Sequence, residues 1–164
     1  MNKKNLETYD IIIFLKMIPK LGSFMGLDLG EKRIGISISN KERTVAISYK
    51  TIHRTKFSKD MELIKKYIFD NKIVGLIVGM PLNLKGERGK KAQSIRRLSQ
   101  EINNITKLPL LFWDERYSTQ AINKMMIKKD LSRNKRKLLI DQSAATWILE
   151  GVISTINTQL YHNS

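Results

Sequence analysis

The chain has 164 residues, 41% of them hydrophobic, which suits one domain with a real core and leaves no length for a second full one. With no cysteine and only His53 and His162, it has no disulfides, thiolate zinc sites, cysteine nucleophile or histidine-rich metal site. Thirty Lys and Arg against fifteen Asp and Glu give a net charge of +15, a field that attracts nucleic acid, acidic membranes or phosphorylated ligands, although an AT-rich genome would yield the same excess of Lys, Ile and Asn.

In chain order, the first 24 residues carry a short apolar run, Ile11–Leu15. Neither it nor Val74–Pro81 approaches the roughly 20 residues of a bilayer span. Glu7 and Asp10 stand where a secretory signal would be basic, so the chain is expected to be cytoplasmic. Ile11, Leu15 and Ile18 lie at helical spacing before Pro19, which predicts a short helix in an N-terminal extension, 1–24, ahead of a domain over 25–160. Phe24–Leu29 and Arg33–Ser39 form a tight hairpin about Gly30, where a positive φ is available to glycine, and Ala46–Ile52 is a third strand. Ser58 can N-cap a helix over Lys59–Asp70, with Met61, Leu63, Ile64, Tyr67 and Ile68 on its apolar face. Val74–Gly79 is continuously apolar, as a strand buried on both faces should be. After a glycine-bearing loop, Met80–Gly89, come a basic helix near Lys90–Ile105 and a second buried strand, Pro109–Trp113. Two helices close the chain, about Thr119–Lys129 and Lys137 to Gln159, with Asp130–Lys137 between them as a charged, mobile loop. The order β-β-β-α-β-α-β-α-α predicts an α/β fold: a mixed five-stranded sheet, three strands in an antiparallel meander plus two parallel ones, with helices on both faces.

Acidic residues are few, so their neighbours matter. Asp28 sits inside an apolar strand, Asp114 and Glu115 end another, and Asp141 lies on a helix face with Ala144, Ala145, Ile148 and Val152. A carboxylate in such surroundings is paired, protonated or bound to metal. One such group is usually structural, a cap or an ion pair. Three on different elements can instead be gathered by a mixed sheet and a helix crossing it, and their mutual repulsion then calls for hard cations, Mg²⁺ or Mn²⁺. Two such ions suit phosphodiester cleavage.

Four segments carry a resemblance: Gly26-Leu27-Asp28-Leu29-Gly30-Glu31-Lys32-Arg33-Ile34-Gly35; Ile77-Val78-Gly79-Met80-Pro81-Leu82-Asn83 with Gly86 and Gly89; Trp113-Asp114-Glu115-Arg116-Tyr117-Ser118-Thr119; and Lys137 to Asp141 with Ala144 through Leu149. In order and spacing, from about Met25 to Gly151, they resemble the YqgF/RuvX family of RuvC-like nucleases. The resemblance implies an RNase H-like fold and a metal-dependent nuclease maturing the 5′ end of small-subunit ribosomal RNA; an older reading of the family is Holliday-junction resolution. It implies catalytic, metal-binding carboxylates at Asp28, at one of Asp114 and Glu115, and at Asp141. Neighbours in a strand face opposite ways, and both faces of this strand are apolar, so alternation does not choose; Glu115 is the expected ligand, with Asp114 a structural partner, as of Arg116. Asn40, where the family often has Asp, and Ala121, where a capping-box Glu is common, depart from the pattern without touching a proposed ligand. Residues 1–24 precede the family's usual start, either as a lineage-specific helix or as sequence upstream of translation from Met25.

The basic segments then have a use. Lys85, Arg88, Lys90, Lys91, Arg96 and Arg97 flank the central loop, and Lys124 to Lys137, including Arg133, Lys135 and Arg136, lead up to Asp141. With Lys32, Arg33, Asn83 and Arg116 they are candidate nucleic-acid contacts, with ribosomal RNA precursor as the expected partner and a weak homodimer as an option. The plainer reading of each run is a solvated face. Two rivals differ in class. Asp28-Leu29-Gly30 with Gly35 also resembles the phosphate loop of the sugar kinase and actin superfamily, but that reading needs two lobes and a second such loop. A non-catalytic RNA-binding assembly factor would need no carboxylate triad.

Overall fold

Local patterning places most of the secondary structure. The computed structural model describes residues 6–81, 89–114 and 132–162, without the side chains of 133–143 and 160–162. Among these residues the strands are β1 (Glu7–Thr8), β2 (Ser23–Leu29), β3 (Arg33–Ser39), β4 (Ala46–His53), β5 (Ile73–Met80) and β6 (Leu110–Asp114). The helices are α1 (Ile11–Met17), α2 (Phe57–Asp70), α3 (Lys90–Thr106) and α4 (Arg133–His162). The strand order is β1-β6-β5-β2-β3-β4, with β2-β3-β4 antiparallel and β2, β5, β6 and β1 parallel to one another.

Alternation along the strands sorts the core into two layers. Met25, Leu27, Leu29, Leu76, Val78, Leu110 and Phe112 pack with Met61 and Ile64 of α2 and Ile95 and Ile102 of α3. Phe24, Ile77 and Leu111 face the other way, onto Phe14 of α1 and Ile148, Leu149 and Val152 of α4. The result is a mixed sheet between helical layers, as expected, with six strands among the described residues where five were expected. The sixth strand, β1, is two residues long and has no apolar alternation to announce it. It forms because β6 offers an open edge: Glu7 and Thr8 pair with Leu110 and Leu111, and the Leu110 N–H donates to the Leu6 carbonyl at 2.8 Å.

Other differences have local causes. Ser58 lies inside α2, which begins at Phe57 after Lys56 with no side-chain cap. The turn before it is held instead by buried Asp60, whose carboxylate accepts from the Thr55 N–H at 3.2 Å and hydroxyl at 3.3 Å. Gly30 does not take a positive φ. Glycine is required there by close approach, since a Cβ would stand 2.7 Å from the Arg33 carbonyl oxygen. The charged segment before Asp141 is helical from Arg133, because Lys and Arg are good helix formers and like charge does not break a helix. The helix expected at Thr119–Lys129 and most of the central loop lie outside the described residues.

Helix α1 packs on the α4 side of the sheet, through Phe14. Asp10 caps α1, accepting from the N–H groups of Ile12 at 2.8 Å and Ile13 at 3.2 Å. Arg43, in the β3–β4 turn, lies 4.4 Å over the Phe24 ring and donates to the carbonyls of Pro19 at 2.7 Å and Gly22 at 2.8 Å. Burial lowers the pKa of its guanidinium.

Candidate functional site

The site is built around Asp28. In β2, Met25, Leu27 and Leu29 point toward α2 and α3, so Gly26 and Asp28 point toward α4. One glycine, Gly26, lets that helix lie close on the sheet. A Cβ at Gly26 would meet the Ser37 hydroxyl, come within 2.8 Å of the Ala145 carbonyl oxygen and 3.1 Å of the Leu149 Cβ. Gly35, paired with Asp28 across the hairpin, would carry its Cβ 3.6 Å from the Asp28 Cβ and 3.7 Å from that of Ala145. In the space left, the buried Ser37 Oγ donates to the Ala145 carbonyl at 2.6 Å and pins the helix across β2 and β3. Gly26→Ala is expected to lower stability by about 1–3 kcal/mol, because the helix must lift. The midpoint of urea denaturation measures this, and an unchanged midpoint would show that α4 shifts freely.

Between helix and hairpin opens a cleft of about 480 Å³ that holds the Asp28 carboxylate, with Lys32, Arg33, Ser48, Lys50, Thr51 and Ala144 among its lining. Burial raises the Asp28 pKa, opposed by the positive charge of Lys91. Among the described residues no side chain or N–H makes a hydrogen bond or salt bridge to this carboxylate. It is a partly buried carboxylate with no direct partner among the described residues, which the fold keeps at a cost.

The other predicted carboxylates are placed as follows. Asp141 lies on the backbone of α4, four residues before Ala145 and so on the same helix face, one turn along. Its side chain lies outside the described residues, as does all of Glu115. Asp114 is described: it ends β6, paired with Met80 at the end of β5, which lies between β6 and β2. It continues the alternation of Leu110 and Phe112 toward α2 and α3, opposite to Asp28. Among the described residues no three acidic or imidazole side chains are gathered together, and the carboxylates lining the cleft are Asp28 and Glu31.

Of the predicted basic contacts, Lys32 and Arg33 line the cleft, and Lys90 and Lys91 open α3, with Lys91 acting on Asp28. Arg133, Lys135 and Arg136 lie on the first turns of α4, their side chains outside the described residues, and Asn83 and Arg116 lie wholly outside them. Sequence reasoning passed over Ser37, Ser48, Lys50, Thr51 and Arg54. β4 carries a bulge: Ile36 pairs with Lys50 but Ser37 with Ser48, so Tyr49 is the extra residue, and it turns to meet Tyr67 edge-on at 5.4 Å. In the bare sequence the polar residues of β4 look like the wet side of an edge strand. Lysine in a strand next to the hairpin of Asp28 is the one signal that was available.

Comparison with known proteins agrees with this geometry. The family model "RuvX: Holliday junction resolvase" matches residues 22–155. A Rhodobacter capsulatus protein named "Putative pre-16S rRNA nuclease" is 40% identical over 143 residues, covering 87% of this chain and 90% of that one. A protein of the same name from Paracoccus denitrificans is 40% identical over 153 residues, 93% and 94% of the two chains. That alignment is longer than the stretch from Met25 to the C-terminus, so it takes in part of the N-terminal segment. Among solved structures, Thermus thermophilus RuvC in complex with a Holliday junction substrate superposes with a TM-score of 0.51 at 12% identity, covering 83% of this chain and 97% of its own. The yeast mitochondrial Holliday junction resolvase Ydc2 gives 0.52 at 11%, covering 84% and 79%. These two likenesses are of fold. The family match and the identity along nearly the whole of the relatives carry more: the chain belongs to the RuvX family.

Proposed function

We propose that this chain is a divalent-metal-dependent nuclease that cleaves phosphodiester bonds in a precursor of 16S ribosomal RNA, in the cytoplasm, with Asp28, Glu115 and Asp141 as metal ligands. The observation that carries the reading is Asp28 itself: a partly buried carboxylate without a bonded partner among the described residues, in a cleft rimmed by Lys32, Arg33 and Lys50. A group so placed suits a hard cation, and oxygen ligands on neighbouring elements suit Mg²⁺ or Mn²⁺. Metal bound there supplies Lewis-acid polarisation of the phosphate and a water of lowered pKa.

The chain's own residues do the rest. β2 holds Asp28 rigidly between two strands, and the Ser37 bond to Ala145 holds the helix that carries Asp141. Lys32, Arg33 and Lys50 neutralise the phosphates of the strand being cut and position it without reading its bases. The names of the relatives and the +15 charge support ribosomal RNA as substrate. The description of the family favours a second reading, a four-way DNA junction. Labelled RNA carrying the 5′ leader of 16S RNA and a labelled four-way DNA junction, each incubated with Mg²⁺ or Mn²⁺, separate the two. Cleavage of the RNA alone is expected; cleavage of neither would leave a binding protein without the chemistry.

The parity of β6 orders the acidic pair. Because Asp114 faces away from Asp28, Glu115→Gln is expected to reduce cleavage about a hundredfold, as loss of a charge-stabilising group does, and Asp114→Asn less than about threefold. Rates under single-turnover conditions measure this, and the reverse order would move the ligand to Asp114.

A further inference from the structure

We propose a second phosphate subsite, formed by Arg54, Lys91 and Ser94 on the α3 side of the β2–β3 turn, that takes the phosphate next to the one cleaved at Asp28; it rests on the nuclease reading. These side chains line a separate recess of about 150 Å³, floored by Leu29, Ile95 and Leu98. That is the volume of about five waters, room enough for a phosphate. Arg54 is set by what surrounds it. Its backbone N–H donates to the Lys32 carbonyl at 2.9 Å, its Nη1 to the Gly30 carbonyl at 2.8 Å, and Asp60 anchors the following Thr55. A guanidinium has five N–H donors, and among the described residues one is used. Neither Arg54 nor Lys91 is in a salt bridge among the described residues, although Glu31 stands at the rim. Two cations without a salt bridge among the described residues and a hydroxyl line one recess, a donor set that fits a phosphate.

The recess and the Asp28 cleft share Gly30 and Glu31, so the turn is the ridge between them. Asp28 points to one side of β2 and Leu29 to the other. A strand with one phosphate at Asp28 meets the recess by crossing that ridge. Glu31 at the rim disfavours free anions, so the recess favours a phosphate already tethered at the cleft, where its effective concentration is high. A turn clamp alone would account for one donor of Arg54. It would not call for Lys91 and Ser94, which touch no part of the turn through a hydrogen bond among the described residues.

The test is binding, read apart from cleavage. In full-length protein carrying Asp28→Asn, the anisotropy of a labelled single-stranded RNA of about 12 nucleotides is followed from about 50 to 200 mM salt. Lys91→Gln leaves the turn untouched and is expected to weaken binding threefold to tenfold at the low end of that range. It should also flatten the slope of log affinity on log salt by about 0.7, so the defect shrinks about 2.6-fold across it. Arg54→Gln should do the same, Arg54→Lys should keep the slope, and Lys59→Gln on α2 should change neither. An unchanged slope and affinity for Lys91→Gln overturns the subsite. So does an effect confined to Arg54→Gln and matched by a lower melting temperature, which marks a turn clamp. Failure of the nuclease reading would look different: no cleavage by the unmodified chain, with the slope changes intact.

Discussion

Asp28→Asn is expected to reduce cleavage by about a thousandfold or more while leaving affinity for nucleic acid within about threefold. The substitution keeps the shape of the side chain and removes the charge that holds a cation. Several kcal/mol of transition-state stabilisation ride on bound metal, and about 1.4 kcal/mol is tenfold in rate. Lys32, Arg33 and Lys50, the proposed phosphate contacts, are untouched, so binding is expected to persist. Single-turnover rates and binding isotherms of the purified variant check both halves, and cleavage within twofold of the unmodified chain would remove Asp28 from the chemistry. The same variant should be more stable than the unmodified chain when metal is absent. Burial raises the Asp28 pKa in the fold above its value in the unfolded chain. The unfolded chain therefore releases the proton first, and stability drops as pH rises from the unfolded pKa through the folded one. The penalty stays in place above that window and is relieved below it. Thermal melts in chelator at neutral pH should show the gain for Asp28→Asn, and acidification should shrink it.

Phe14→Ala is expected to cost about 3–5 kcal/mol. For a chain of this size each kcal/mol moves the melting temperature by about 2–4 °C, so the fall is about 6–20 °C. Phe14 lies in the N-terminal segment and is 0% exposed. Its ring sits 5.4 Å from that of Phe24, and Gly75 of β5 is bare to admit it, since a Cβ there would lie 2.7 Å from the Phe14 Cζ. Gly75 has no side chain with which to refill that space, so most of the cavity term is felt. Ile13→Ala on the same helix, 50% exposed, should cost less than about 1 kcal/mol and serves as the control. Equal melting temperatures for the two variants would mean that α1 is not seated on the sheet.

The hairpin about Gly30, the doubly buried β5, the apolar face of α2 and the isolation of Asp28 in an apolar strand were legible from residues alone. Each depends on periods of two or 3.6 and on runs a few residues long, and local sterics and burial impose those within one element. The four motifs added the family for the same reason: they are local strings. What stayed hidden depends on pairings that no local period encodes. Ser37 and Ala145 are 108 residues apart, and their bond depends on Gly26, which lets α4 down onto the sheet. The bulge at Tyr49 shifts the register of β4, so that Ser48 pairs with Ser37 and Thr51 with Gly35 on the Asp28 side, and a register is set between strands, not within one. Arg54 reads as one more surface cation until the β2–β3 turn is found beneath it. Both faces of β6 are apolar, so Asp114 and Glu115 were equivalent in the sequence. The stacking of Leu110 and Phe112 on α2 and α3 turns Asp114 away from Asp28. Composition and periodicity determined which elements form and which carboxylate is out of place; only tertiary packing decided which way each side chain faces, because a strand has two equivalent faces until something covers one of them.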